Sequence, residues 1–303
     1  MPEQQKLTTL NNQFGLEGQL QFRDVGGLIM AEISNQHGQA VIALQGAQVL
    51  SWIPNGQQPV IWLSDDATFT PGKSIRGGIP VCWPWFGAHP EHHDYPAHGF
   101  VRAADWDVIE TSVLTAGQTK LVFRLQEQKD HAALWPHNTE LELQVTVGLT
   151  LELRLITRNK GAAVVIIRQA LHSYFAVNDI NQVVIKGLED CQFIDALDGW
   201  QRKVGANPIS IDAEIDRIYQ NTKPACLLED AGWQRRINIE TNNSQSTVVW
   251  NPWIDKSARL GDMGDGGYLK MLCIETGNIA DDSASIAAGA EHCLSVCYRL
   301  ENI

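Results

Sequence analysis

The chain has 303 residues, of which 44% are hydrophobic and 19% charged, an ordinary globular composition that excludes a disordered chain. Its formal net charge is −12 and no Lys/Arg run offsets it, so nucleic acid and anionic membrane surfaces are not expected as partners. No apolar run approaches a membrane span, and the first residues, MPEQQKLTTLNNQFG, lack the apolar stretch of a secretory signal, so a cytoplasmic protein is expected.

In chain order, strand patterns dominate. Short strands are predicted at 39–44, 48–53, 107–113 and 120–125. The segment 141–155 then places Leu141, Leu143, Val145, Val147, Leu149, Leu151, Leu153 and Leu155 at every second position, the period of half-buried antiparallel strands. Gly148 marks a turn inside it, and Asn159-Lys160-Gly161 marks the next. Further strands are predicted at 164–170, 182–186, 236–240, 247–250, 269–275 and 292–300. Amphipathic helical stretches are nearly absent. The fold class is therefore all-β, a large antiparallel sandwich rather than a parallel α/β sheet. The six cysteines (Cys82, Cys191, Cys226, Cys273, Cys293, Cys297) form no CxxC and read as reduced core or near-core thiols; Cys293 and Cys297 fall on one face of a strand.

Two regions, 65–98 and 250–267, are irregular and rich in Gly, Pro, Trp and charge, and loops on a rigid β scaffold are where sites are usually placed. In SIRGGIPVCWPWFG, Gly77 and Gly78 after Arg76 would let the backbone approach a ligand. Trp83 and Trp85 would offer flat faces to a sugar ring, unless they pack as an aromatic corner. The following stretch, HPEHHDYPAHGFVR, is rich in histidine, but its spacing matches no metal-ligand motif; it reads as a polar loop at 89–93 leading into a strand from His98 to Arg102, with no metal expected. His172 falls within a strand pattern, where a lone histidine is more often structural than catalytic. Asp216 alone reads as a surface turn residue. Glu275 closes a strongly apolar strand, where a carboxylate is costly to bury unless paired or used.

Taken together and in order, SIRGGIPVCWPWFG, HGFVRAADW, LHSYFAV, EIDRIY, VVWNPW and CIETGN resemble the aldose 1-epimerase (galactose mutarotase-like) superfamily, more closely its glucose-6-phosphate 1-epimerase branch. The resemblance implies a β supersandwich over 19–303 as a single domain, preceded by an unassigned arm at 1–18. It implies that His172 is a general acid and Glu275 a general base. Arg76 and Arg102 match the branch's substrate-binding arginines, Asp216 the carboxylate that holds a sugar hydroxyl, and His98 a second site histidine. Many relatives carry Gln immediately before the HGF motif; Ala97 stands there, leaving one substrate hydrogen bond unaccounted for.

The implied reaction is anomer interconversion of a hexose 6-phosphate, most naturally glucose 6-phosphate, by a monomer that uses no cofactor. Ring opening needs a base at the C1 hydroxyl and an acid at the ring oxygen, work that a carboxylate and a histidine perform near neutral pH. Arginine forks suit the phosphate. Three alternatives stay open: a non-catalytic carbohydrate-binding protein, a glycosidase using Asp216 and Glu275, and a mutarotase of unphosphorylated aldoses.

Overall fold

A computed structural model describes residues 3–205 and 208–303. Three antiparallel sheets carry the architecture. A four-stranded meander runs through Leu20–Val25, Leu28–Asn35, Gly38–Ala43 and Gln48–Pro54. An eight-stranded sheet orders Val183–Lys186, Ala225–Asp230, Arg235–Asn242, Glu291–Asn302, Thr150–Asn159, Thr139–Val147, Thr119–Leu125 and Trp106–Val113.

The other eight-stranded sheet orders Gln201–Val204, Gln192–Asp195, Ile215–Gln220, Ser246–Asn251, Met271–Asn278, Gln169–Leu171 and Val81–Cys82, with Tyr174–Ala176 also pairing onto Met271–Asn278. One core joins these sheets: Leu143 and Leu153 of the first eight-stranded sheet cluster with Val249, Leu272 and Ile274 of the second and with Trp52 of the meander. The expected all-β sandwich is what forms. Among the described residues no helix is long and apolar enough to cross a membrane.

The 141–155 alternation becomes a hairpin. Thr139–Val147 pairs with Thr150–Asn159 in register from Thr139↔Asn159 to Val147↔Leu151. Its apolar positions are buried except Leu149, which continues the period in sequence but sits in the turn, 72% exposed. The next turn is fastened by Asn159, whose amide donates to the Ala163, Ile286 and Ala287 carbonyls while its oxygen accepts from the Gly161 N–H.

Several expectations are corrected. Helices form at Glu3–Phe14, Lys129–Leu134 and Trp253–Leu260, the last inside a region read as irregular. Residues 98–102 do not form a strand: His98 takes a left-handed φ of 65°, and Val101–Ala103 is a single 3-10 turn. Asp216 lies in a strand, Ile215–Gln220, not a turn. Glu275 sits inside its strand, not at the end; Met271–Asn278 is buried along its whole length.

Gly77 and Gly78 answer to packing. A Cβ at Gly77 would meet the Trp62 carbonyl oxygen at 2.7 Å, and one at Gly78 would meet that of Val49 at 2.3 Å. Trp83 and Trp85 are core residues, each bonded through its indole N–H, to the Thr157 hydroxyl and the Pro96 carbonyl respectively, and so offer no sugar platform. The thiols are all free, with Cys82, Cys226 and Cys273 buried.

Candidate active site

His172 does not lie in a continuous strand. It occupies a two-residue break between Gln169–Leu171 and Tyr174–Ala176. The break preserves register: Leu171 pairs with Thr276 before it and Tyr174 with Cys273 after it. The same register runs through both pairs, so His172 stands directly opposite Glu275. Their side chains meet, with His172 Nε2 3.2 Å from Glu275 Oε1. On its outer edge the break is held by the His172 N–H donating to the Pro80 carbonyl at 2.9 Å and the Tyr174 N–H to that of Gly78 at 3.0 Å. Underneath, the Ser173 hydroxyl is hydrogen-bonded to that of Tyr298.

The strand period then assembles the rest. Leu171 and Phe175 point into the main core, while Ala170 and Tyr174 belong to a second apolar cluster on the other face of the same sheet. Following the ladder sideways from Tyr174 gives Cys273, Trp250 and Asp216 in one row. Following it from His172 gives Glu275, Val248 and Ile218. Cys82 lies beside Ala170 on the outermost strand. One sheet face thus carries the acid–base candidates, with Asp216 on the same surface.

Loops cover this face. One segment brings both His98, whose ring centroid lies 5.8 Å from that of His172 and whose Nδ1 accepts from the Gly87 N–H at 3.4 Å, and Arg102, whose Nη2 donates to the Cys82 thiol at 2.9 Å. Another brings Arg76, whose Nη1 donates to the Tyr174 hydroxyl at 3.1 Å and whose Nε donates to Asp262 at 3.0 Å. Tyr174 links these groups, stacked on the His172 imidazole at 4.9 Å with Trp62 stacked at 5.8 Å. Asp216 is held by Lys256, whose Nζ lies 3.6 Å away and also contacts Glu214 at 3.1 Å.

Three buried polar atoms of the site have no partner among the described residues: His172 Nδ1, Glu275 Oε2 and Arg102 Nε. A buried polar atom left unpaired costs about 1–3 kcal/mol. Their grouping at one place marks a surface shaped for something polar that is not part of the chain.

Burial sets the electrostatics. It pushes the Glu275 carboxyl well above its ordinary range, with Arg102 pulling it down and Asp216 pushing it further up. It pushes the His172 imidazole well below its ordinary range, helped by Arg102 and His98. Each partner is thereby favoured in its neutral form, so the pair holds one proton and the empty site keeps it on the carboxyl. Burial raises Asp216 against the pull of Lys256, and raises the Cys82 thiol to about 11 against the pull of Arg102.

His98 is lowered to about 3, by burial first and then by Arg102 and Arg76. Below pH 6.5 the unfolded chain takes up a proton at this residue that the folded chain refuses until about pH 3. The stability His98 contributes is therefore complete above pH 6.5 and is lost as the pH falls towards 3. The expected result is that His98→Asn flattens the acid limb of the stability curve by up to ~1.4 kcal/mol per pH unit, the slope of one proton. Urea midpoints between pH 7 and 4 test this; parallel curves for the two proteins would refute it.

All six residues singled out in the sequence, His172, Glu275, His98, Arg102, Arg76 and Asp216, lie on or around this one face. Sequence reading missed Tyr174, Cys82, Trp62, Trp250, Lys256 and Asp262. Tyr174 had a signal, two positions from His172 in a period-two segment; Asp262 had none. The 89–93 loop lies apart, where His89 and His92 pack with Trp85 and Tyr95 at centroid distances of 4.5–5.8 Å. Among the described residues no group of three His, Cys, Asp or Glu side chains is placed to hold a metal ion.

Comparison with known proteins agrees with this picture. A family model described as aldose 1-epimerase matches residues 30–299. A protein from Salmonella typhimurium with the provisional name glucose-6-phosphate 1-epimerase is 35% identical over 255 residues, covering 84% of each chain. A protein of the same provisional name from Escherichia coli K12 is also 35% identical over 255 residues, again covering 84% of each chain. Among solved structures, a provisional mutarotase (YeaD) from Salmonella typhimurium superimposes with a TM-score of 0.89 at 31% identity, covering 96% of each chain.

Proposed function

We propose that this chain, which belongs to the aldose 1-epimerase family, interconverts the α and β anomers of hexose 6-phosphates, glucose 6-phosphate foremost, with His172 and Glu275 as its acid–base pair. The chain is an isomerase of the mutarotase type; the substrate and the residue roles are our reading. The observation that carries it is the His172–Glu275 contact across one register position, with a polar atom on each that has no partner among the described residues.

Glu275 takes the proton of the C1 hydroxyl as His172 protonates the ring oxygen. The C1–O5 bond opens to an aldehyde, C1 rotates about its bond to C2, and O5 attacks the opposite face of the carbonyl. Protons return along the same two paths. Nothing is oxidised, and the reaction itself needs no cofactor. Positioned acid–base catalysis of this kind contributes typically about 10²–10⁴-fold.

The forward step requires the shared proton on His172, whereas the empty site favours it on Glu275. The substrate supplies part of the correction. Arg102 and Arg76 both depress His172, and a phosphate dianion bound between them cancels much of that positive potential. Binding therefore removes one cost of protonating His172, while the same dianion also cancels the pull of Arg102 on Glu275. Asp216, on the same face, accepts a sugar hydroxyl, and Trp250 and Tyr174 supply apolar walls. The site is built from one chain, so a monomer suffices, and six free thiols suit a cytoplasmic setting.

The test is saturation transfer between the α and β anomeric protons of glucose 6-phosphate, with glucose in parallel. Exchange faster than the uncatalysed rate, and faster for the phosphosugar than for glucose, is the expected result. No enhancement with either sugar, from folded protein, would refute the reading and leave a sugar-binding protein in its place.

A further inference from the structure

The substrate reading assigns Arg76 to phosphate and Asp216 to a sugar hydroxyl, yet both are already engaged in the empty site. Their partners come from one segment. Lys256, which holds Asp216, lies in the helix Trp253–Leu260. Asp262, which holds Arg76, follows two residues after that helix. Gly261 ends the helix with a left-handed φ of 71°, and its open surroundings let the chain turn so that Asp262 reaches the cleft.

We propose that Asp262 is a built-in competitor for the substrate's phosphate: a carboxylate that occupies Arg76 in the empty enzyme and thereby sets how tightly phosphate-bearing ligands bind. The inference rests on the reading of Arg76 as a phosphate contact and goes beyond it by assigning an opposing residue.

The guanidinium geometry supports this. Asp262 takes Nε at 3.0 Å and the Tyr174 hydroxyl takes Nη1 at 3.1 Å. Among the described residues Nη2 makes no hydrogen bond, so it is the corner left to a ligand. A phosphate there would share the guanidinium with a carboxylate. Two arginines bring two positive charges, Asp262 cancels one, and a phosphate monoester brings nearly two negative charges at neutral pH. The site is thus about one charge short of matching its ligand while Asp262 stays in place.

Like charges repel weakly through water and several-fold more strongly where protein replaces it. The Asp262 side chain is 40% exposed, so the repulsion is mild and the carboxylate has water to move into. The effect is to weaken phosphate capture without disabling it, so that free inorganic phosphate does not fill the site and the product leaves.

Asp262→Asn removes the charge and keeps an oxygen able to accept from Arg76 Nε, which separates competition from orientation. The probe is inorganic phosphate, titrated into the full chain by calorimetry, alongside KM for glucose 6-phosphate. Asp262→Asn is expected to bind phosphate about ten-fold more tightly, which is ~1.4 kcal/mol, and to lower KM in the same direction. Asp265→Asn, an equal charge change at an exposed neighbour, should give no comparable gain, and Arg76→Ala in the Asp262→Asn background should erase it.

Equal or weaker phosphate binding by Asp262→Asn overturns the proposal, as does a gain that survives Arg76→Ala. Phosphate binding requires no turnover. A gain in a protein that fails to exchange glucose 6-phosphate anomers would therefore sink the functional reading and keep the competitor, and exchange without a gain would do the reverse.

Discussion

Glu275→Gln is expected to lower the catalysed exchange of glucose 6-phosphate anomers by at least about 10²–10⁴-fold, the contribution of a positioned acid–base group. Glutamine has the shape of a protonated glutamate and fits the same buried place, but it cannot accept the C1 hydroxyl proton. The fold should not suffer. Burial raises the Glu275 pKa, so the unfolded chain gives up this proton at a lower pH than the folded chain does. The stability linked to that proton is complete below about pH 4.5 and is lost as the pH rises. Replacing the acid with a neutral amide removes that loss, and the variant should melt at the same temperature at pH 5 and at an equal or higher one at pH 8. A dead enzyme that is no less stable is the signature of a group kept for chemistry at a cost to folding. His172→Ala should be comparably inactive, and the double variant little worse than either, because the two act as one proton-carrying unit. Exchange within a few-fold of wild type in Glu275→Gln would remove the residue from the mechanism.

What the sequence disclosed and what it withheld follow from different physics. The hairpin at 139–159 was legible because one face is buried and the other is not, which writes a period of two into the residues. The strand Ile215–Gln220 was not. It carries Asp216, a residue type that strands disfavour, and it is held as a strand by neighbours on both sides. The helix Trp253–Leu260 did carry helix signals: Pro252 before it, Asp255 in its first turn, Arg259 in its last, and Gly261 after it. These signals do not separate a helix from a loop, because Gly and Pro also punctuate loops. The two tryptophans of CWPW read equally as a sugar platform or a packed corner, because composition does not reveal which face of a corner meets the core.

The site shows the same division. Individual residues were legible through resemblance, but their relations were not. That His172 faces Glu275 follows only from the register of two strands distant in sequence, and a slip of one residue would send Glu275 into the apolar core with Ile274. The Arg76–Asp262 pair spans 186 positions and follows no local rule. Spacing announces a motif when the residues share one element, as metal ligands on a helix do. Here, apart from His98 and Arg102 on one segment, each residue comes from a different strand or loop, and only tertiary structure brings them together.

Of the two arginines, Arg102 is expected to matter more for phosphosugars. Arg76 already has a carboxylate; among the described residues Arg102 has only the Cys82 thiol as a recorded hydrogen-bond acceptor, and its buried Nε has no partner. Holding a cation partly buried without a counter-ion is unfavourable, and a bound phosphate relieves that cost while an uncharged sugar does not. Hydrogen bonds to charged groups contribute about 1.5–3 kcal/mol, so Arg102→Ala should raise KM for glucose 6-phosphate by roughly ten- to a hundred-fold, with a smaller loss on glucose. Arg102→Lys should recover part of the affinity, since it restores the charge without the planar fork. Arg76→Ala should cost less, because Asp262 is freed at the same time and its charge has room to turn to solvent. Equal losses on both sugars in Arg102→Ala would show that the residue serves the sugar or the fold instead of the phosphate. A larger loss from Arg76→Ala than from Arg102→Ala would mean that the ligand's charge sits on the Asp262 side of the cleft, and the roles of the two arginines would then have to be exchanged.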